Sequence, residues 1–280
     1  MAKNLQLLKR RINTSKNIAQ IGKAMEMISA SKIKRAQNQV VNNKPYAERI
    51  TELTQTMLLQ PDLKNFSHPL LETNDSEKKL YIIISPDRGL CGSLNTNLFK
   101  KIIELDNKNI KMVTLGRRAE RFCLRLEGEL TASFPMGTSL PQYAIVYDLI
   151  EIIEQEFVSK KVSEVSLVYS QFNSIFSQSP VVKKILPIER PAVEIEELPY
   201  VFEPKVNELL KDLLPFYLEV SLFTSVLEAY TSEQAARMVA MQNAKNNALD
   251  IADALTLEYN KSRQERITGE ILDIANNSAI

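Results

Sequence analysis

The sequence predicts an α/β protein: a long antiparallel coiled coil of N- and C-terminal helices plus a small Rossmann-like α/β domain with a mostly parallel sheet. Three observations predict it. Glycine is scarce, with seven in 280 residues and none between Gly22 and Gly89 or between Gly137 and Gly269, which favours long helices. Apolar residues recur at alternating steps of three and four near both ends of the chain. Between the ends, the period changes to short continuous apolar runs separated by helical stretches, the mark of a parallel sheet.

The chain divides into residues 1–59, 77–198 and 204–280. In the first part Asn4 is an N-cap candidate before Leu5, Leu8 and Ile12. Ile18, Ile21, Met25 and Ile28 follow in a heptad frame one residue off, so the spacing predicts a seam that shifts once. Pro45 predicts a kink or interruption. A helix reaching Leu59 is a rod on the order of 80 Å at ~1.5 Å per residue.

In the middle part Leu80–Ile84 reads as a buried strand, Leu94–Leu105 as helix, Ile110–Leu115 as strand and Arg117–Leu126 as helix. Tyr143–Val158 is the clearest helix there, and Val165–Phe172 and Val181–Pro187 read as strands. The third part begins after Glu203-Pro204, a tolerable helix start, and carries Pro215, which predicts a second kink. A 3/4 ladder runs from Val206 through Leu210, Leu213, Tyr217 and Thr224 to Met241, Lys245, Ala248, Ala252, Leu255 and Tyr259. Neither long helix can bury its stripe alone, so the two pair. The alanines from Ala235 to Ala252 allow close approach.

Composition excludes several classes of function. Net charge is +1, which gives no global field for nucleic acid or membrane. Charge is unevenly placed, however: Met1–Arg35 holds nine basic residues and one acid, a net of +8 that suits an acidic partner surface or a solvated face. Two cysteines, Cys91 and Cys123, form no disulfide framework, and a single histidine, His68, argues against a metal site or a triad. No uncharged apolar run approaches the roughly 20 residues of a spanning helix, and no apolar core follows the basic N-terminus.

Chemistry would have to lie in Ser85-Pro-Asp-Arg-Gly-Leu-Cys-Gly-Ser-Leu-Asn95, a turn between strand and helix where backbone N–H groups can hold an anion. It lacks both dinucleotide and P-loop fingerprints, so a structural turn with Asp87 and Arg88 capping locally is the better reading. Cys91 near the helix start has no histidine base and reads as a buried small residue. Ser232, Glu233, Gln234 and Arg237 form either a solvated face with i,i+4 pairing or a recognition patch. On these residues alone, three readings stand: a structural coupling subunit, a small α/β nucleotide-binding enzyme with helical arms, and a coiled-coil tether.

Four blocks separate them. Gly22-Lys-Ala-Met-Glu-Met-Ile-Ser-Ala-Ser-Lys32, Asp87-Arg-Gly-Leu-Cys-Gly92, Ser232-Glu-Gln-Ala-Ala-Arg-Met-Val-Ala-Met241 and Tyr259-Asn-Lys-Ser-Arg-Gln-Glu-Arg-Ile-Thr-Gly-Glu-Ile-Leu272 stand in order along the chain. Together they resemble the signature stretches of the gamma subunits of F-type rotary ATP synthases. The resemblance spans essentially the whole chain. It implies a non-catalytic central-stalk rotor without cofactor, whose partners are the alpha and beta subunits, the epsilon subunit and the membrane c-ring. It implies one copy per complex, peripheral to the cytoplasmic face of an energy-coupling membrane, most simply a bacterial inner membrane. By motif match it places contacts to the beta subunits at Lys9, Arg10, Lys23, Met25, Arg237, Gln264 and Thr268. The end, Ala275–Ile280, has no charged side chain and suits an apolar sleeve. Two departures from the family pattern are Gly269, where Gln is common, and Ser93, in place of a third glycine.

Overall fold

Among the described residues five helices and five strands follow one another: α1 (Ala2–Leu58), β1 (Lys79–Ile84), α2 (Leu94–Ile103), β2 (Ile110–Leu115), α3 (Arg117–Cys123), β3 (Glu129–Phe134), α4 (Ile145–Val158), β4 (Glu164–Phe172), β5 (Gln178–Leu186) and α5 (Val206–Asn277). The computed structural model describes residues 2–60, 66–105, 109–190 and 203–277. Residues 191–198 of the expected middle part, the tail residues 278–280 and the side chains from 273 onward lie outside that description. The chain falls into two compact units, Met1–Ala30 with Arg237–Ile280, and Ser31–Ala236.

The larger unit holds a five-stranded sheet in the order β3-β2-β1-β4-β5. β1 pairs in parallel with β2 and β4, β2 in parallel with β3, and β5 closes the edge antiparallel to β4. β1 and β2 are buried almost end to end because both faces of the sheet are covered. Leu80, Ile82, Val113, Val165 and Leu167 pack on one face with α4 and the long helices. Tyr81, Ile83, Met112 and Val168 pack on the other with α2 and α3. Strand β3 is missing from the sequence reading; its alternation of exposed and half-buried residues is the period-2 signal of an edge, with Leu130, Ala132 and Phe134 turned inward.

One charged pair lies in this core. Lys111, on β2, donates to Glu156 of α4 at 2.6 Å, each side chain about 10% exposed. The hydrogen bond to Glu156 holds the Lys111 ammonium above its ordinary range despite burial. Burial pushes the Glu156 carboxyl upward, but Lys111 and Lys161 together outweigh it and hold it below the usual value. Burial alone pushes the Cys123 thiol up to about 12.

Neither proline interrupts its helix. α1 is continuous across Pro45 and α5 across Pro215. Each proline removes one backbone hydrogen bond, but the neighbouring Tyr46 and Phe216 meet edge to face at 6.0 Å, so packing between the helices holds that level. α1 already includes Asn4, which is therefore not its N-cap. Helices α2 and α3 end two and three residues earlier than expected, and α4 begins two later. α5 begins at Val206, two residues beyond Pro204.

Between Leu210 and Tyr230 the fully buried row of α5 steps by four, through Leu214, Leu218, Leu222 and Val226. The ladder predicted there leaves Leu213, Tyr217 and Thr224 only half-buried. A step of four overturns the helix by about 40°, so the buried row winds around α5. From Ala229 to Arg237 every residue is buried.

Candidate partner-contact surface

Within the unit of residues 1–30 and 237–280, α1 turns one regular row inward: Leu5, Leu8, Ile12, Ser15, Ala19, Gly22, Glu26 and Ser29, at alternating steps of three and four. The expected shift of seam to Ile18, Ile21, Met25 and Ile28 does not occur. Ile18, Ile21 and Ile28 are 49%, 60% and 56% exposed, each one residue before an inward-facing Ala19, Gly22 or Ser29. The reason is the partner helix. An added Cβ on Gly22 would lie 3.3 Å from Lys245 Cβ, Lys245 N and Met241 O, a tight approach that favours small side chains in the seam there. On α5 the inward row is Met241, Lys245, Ala248, Ala252, Leu255 and Tyr259, as its spacing predicts. Lys245 donates to Glu26 at 2.8 Å across the seam, each side chain 23% exposed. Within the larger unit Lys32 and Tyr230 share one carbonyl, that of Thr138, while Tyr46 meets Phe216, so the two helices run antiparallel there.

What the seam leaves outside is the candidate surface. Lys9, Arg10 and Lys23 are exposed on α1, Met25 is half-buried, and Gln264 and Thr268 are exposed on α5. Leu7 and Met27 join the exposed isoleucines, and Leu249, Ile251 and Leu257 are exposed on α5. Arg237 stands apart from the other expected contacts, since it is buried to 8% exposure within the chain. Ser232, Glu233 and Gln234 beside it are also buried, at 0%, 4% and 2%, so this polar block is neither the solvated face nor an open patch. Large exposed apolar residues beside a small-residue row were the signal for this surface, and sequence reasoning took them for the seam instead.

The turn after β1 is filled by its own side chains. Asp87 Oδ1 accepts the N–H groups of Arg117 and Met136 at 2.9 and 3.2 Å, and Oδ2 accepts that of Gly137 at 2.8 Å. Ser85 Oγ accepts the Ala119 N–H at 2.8 Å. The Asp87 carboxylate thus ties the turn after β1 to the start of α3 and to the loop after β3, a structural clamp. Gly116 makes the arrangement possible: at φ +112° its Cα approaches Ser85, and a Cβ there would fall 1.9 Å from the Ser85 carbonyl oxygen. Cys91 is buried with Leu94 and Ala236, as its reading as a small core residue requires. The loop after β3 reaches both long helices, its Thr138 carbonyl accepting from Lys32 Nζ and from the Tyr230 hydroxyl.

Exposed apolar residues aligned along a helix pair mark surfaces that other chains cover, so the fold and this surface define a coiled-coil subunit of an assembly that also carries a Rossmann-like sheet. Comparison with known proteins narrows the class. A family model described as ATP synthase matches residues 4–279. The ATP synthase gamma chain of Dehalococcoides mccartyi is 39% identical over 282 residues, covering 99% of this chain and 98% of the relative. That of Methylacidiphilum infernorum is 35% identical, covering 96% of each. The chain belongs to the ATP synthase gamma chain family. It also shares its fold with the rotor of Euglena gracilis mitochondrial ATP synthase, with a TM-score of 0.69 at 20% identity, covering 95% of this chain and 100% of that one. The central stalk and c-ring structure of Tetrahymena thermophila mitochondrial ATP synthase gives a TM-score of 0.62 at 21% identity, covering 80% and 99%.

Proposed function

We propose that this chain is the central-stalk rotor of a proton-translocating F-type ATP synthase, carrying rotation of the membrane c-ring to the alpha/beta hexamer and so coupling ion flow to ATP synthesis. The observation that carries the reading is a match to gamma chains that takes in both terminal helices and the sheet unit between them. The chain is itself non-catalytic, and its 77–198 part forms the foot with the epsilon subunit, while 1–59 and 204–280 form the shaft. It sits peripherally on the cytoplasmic side of the membrane, one copy per complex. Among the described residues, no helix is long and apolar enough to cross a membrane.

The mechanism follows from asymmetry. A ligand shifts an equilibrium only by its difference in affinity for the two states. A shaft with equal faces would therefore drive nothing in a near-threefold ring. Residues 1–30 carry six basic side chains and one acid, a net of +5, whereas residues 237–272 carry five of each sign. One side of the coiled coil is thus strongly cationic and the other neutral, so the acidic beta loops that meet Lys9, Arg10 and Lys23 favour one rotational position at a time. Exposed ion pairs contribute about 0.2–1 kcal/mol each and are screened by salt, which suits contacts that must be replaced at every step.

Two measurements test the reading. Affinity purification of the native chain is expected to return alpha and beta ATPase subunits, and their absence overturns it. The triple substitution Lys9→Glu, Arg10→Glu and Lys23→Glu is expected to leave folding intact and impair proton-driven synthesis severalfold. Normal synthesis by that variant removes these residues from the contact set.

A further inference from the structure

Within the larger unit, α5 lies on the sheet along its apolar row, and polar contacts flank that row on both sides. On one side the Tyr169 hydroxyl of β4 donates to Glu228 at 2.9 Å, and Lys183 Nζ of β5 donates to Ser221 Oγ at 3.2 Å. Lys183 stands opposite Leu167 in the antiparallel register, two residues from Tyr169, so both donors rise from one face of the sheet. On the other side the Tyr143 hydroxyl, just ahead of α4, donates to Glu219 at 2.9 Å. The Tyr230 hydroxyl makes a longer approach there, 3.5 Å from the Thr138 carbonyl. At about 100° per residue, Glu219 and Tyr230 fall nearly on one line of α5, and Ser221 and Glu228 on a line about 180° away. The fully buried Leu218 and Leu222 lie between the two lines. Burial, with Glu219 and Glu228 adding to it, pushes the Tyr143 and Tyr169 hydroxyls upward, so both stay donors at neutral pH.

The two kinds of contact resist different motions. Apolar burial is non-directional: it opposes separation of α5 from the sheet but changes little when the helix rolls in its bed. Hydrogen bonds depend on distance and angle. A roll of about 20° carries the surface of a helix about 10–12 Å wide through roughly 2 Å. That breaks a 2.9 Å bond on whichever side is lifted, and rolling the other way lifts the opposite side. Each flank therefore opposes one sense of rotation. Bonds from phenol to carboxylate are also of the stronger, charge-assisted kind.

Resting on the rotor reading, we infer that Tyr143 and Tyr169 key α5 to the sheet unit, each carrying torque in one sense of rotation. The test uses the assembled complex with its alpha/beta hexamer immobilised and a gold nanorod fixed to the sheet unit. The angle of the rod is followed while the rotor pauses at low ATP. Tyr143→Phe combined with Tyr169→Phe is expected to widen the angular variance of the paused rod at least twofold. Each single substitution is expected to skew the distribution, the two in opposite senses. Leu130→Ala, on the far face of the sheet, is expected to lower the thermal midpoint and leave the variance at the parent value, which separates keying from stability. A parent-like variance in the double variant, one sense of skew in both singles, or equal softening by Leu130→Ala overturns the inference. If the parent rod does not turn with ATP, the rotor reading fails and this inference with it. If it turns and the double variant stays as stiff, the inference fails alone.

Discussion

Replacing Lys111 by Met removes one half of the ion pair buried in the sheet unit, and its cost can be worked from the neighbours. With Lys111 gone, Glu156 keeps only Lys161, at 3.4 Å and 57% exposed, as a cation. Glu129 on the other side lies 3.6 Å from Lys111 and is 53% exposed, so its own loss is small. Breaking a buried pair costs about 3–5 kcal/mol, and the surviving Lys161 places this case near 3 kcal/mol. With a urea m value of about 2–3 kcal/mol/M, the unfolding midpoint should fall by roughly 1–1.5 M. Adding Glu156→Leu removes the stranded carboxylate and should restore stability to within about 1 kcal/mol of the parent, a recovery of about 2 kcal/mol over the single substitution. The pH dependence has a fixed sign. The folded value of Glu156 lies below the ordinary 4.5, so its contribution is whole above 4.5 and is lost as pH falls through the depressed value. That of Lys111 lies above 10.5, so its contribution is whole below 10.5 and is lost as pH rises through the raised value. A single substitution costing under 1 kcal/mol, or a double as unstable as the single, would refute the argument that charge pairing holds this site.

Three further outcomes are expected. Glu26→Lys should lower the thermal midpoint of the chain by the equivalent of about 1 kcal/mol, and Lys245→Glu added to it should recover most of the loss, because the pair is only partly exposed; no recovery means that the two charges do not meet across the seam. Asp87→Ala strands three backbone donors and should cost about 3 kcal/mol in urea unfolding, with Asp87→Asn nearer half of that; an unchanged midpoint would show that the carboxylate is not the clamp of the turn. Burial holds His68 below 6.5, with Glu72 opposing and Lys211 assisting, and its Nδ1 accepts the Leu70 N–H at 3.3 Å only while unprotonated. Stability should therefore be full above pH 6.5 and decline as pH falls through the lower folded value, and His68→Gln should flatten that slope between pH 5 and 7.

Much of the architecture was legible because each element carries its own period. Leu80–Ile84 and Ile110–Leu115 read as strands since buried parallel strands are apolar throughout, and the C-terminal ladder from Met241 to Tyr259 is the inward row of α5. The α1 seam was misread because apolar periodicity weighs large side chains, whereas two closely approaching helices select small ones: Ala19, Gly22 and Ser29 carry little hydrophobic signal. β3 was missed because Glu-Leu-Thr-Ala-Ser-Phe holds only three inward positions. Burial of Ser232, Glu233, Gln234 and Arg237 could not be read locally, since it arises where α5 is enclosed by elements distant in sequence. Of the expected contact residues, the basic stripe was visible as charge, but which of its members faces outward depends on the seam.

The small residues that close the helix pair also set its thickness. Helix axes approach to about 8–10 Å according to the side chains between them, and the stretch of the seam holding Ala19, Gly22 and Ser29 belongs at the lower end. Resistance of a rod to twisting rises steeply with its breadth, so a narrower pair is softer than one packed on leucines. A compliant axle winds up before its load yields, holding part of each push as elastic energy and returning it over the rest of the turn.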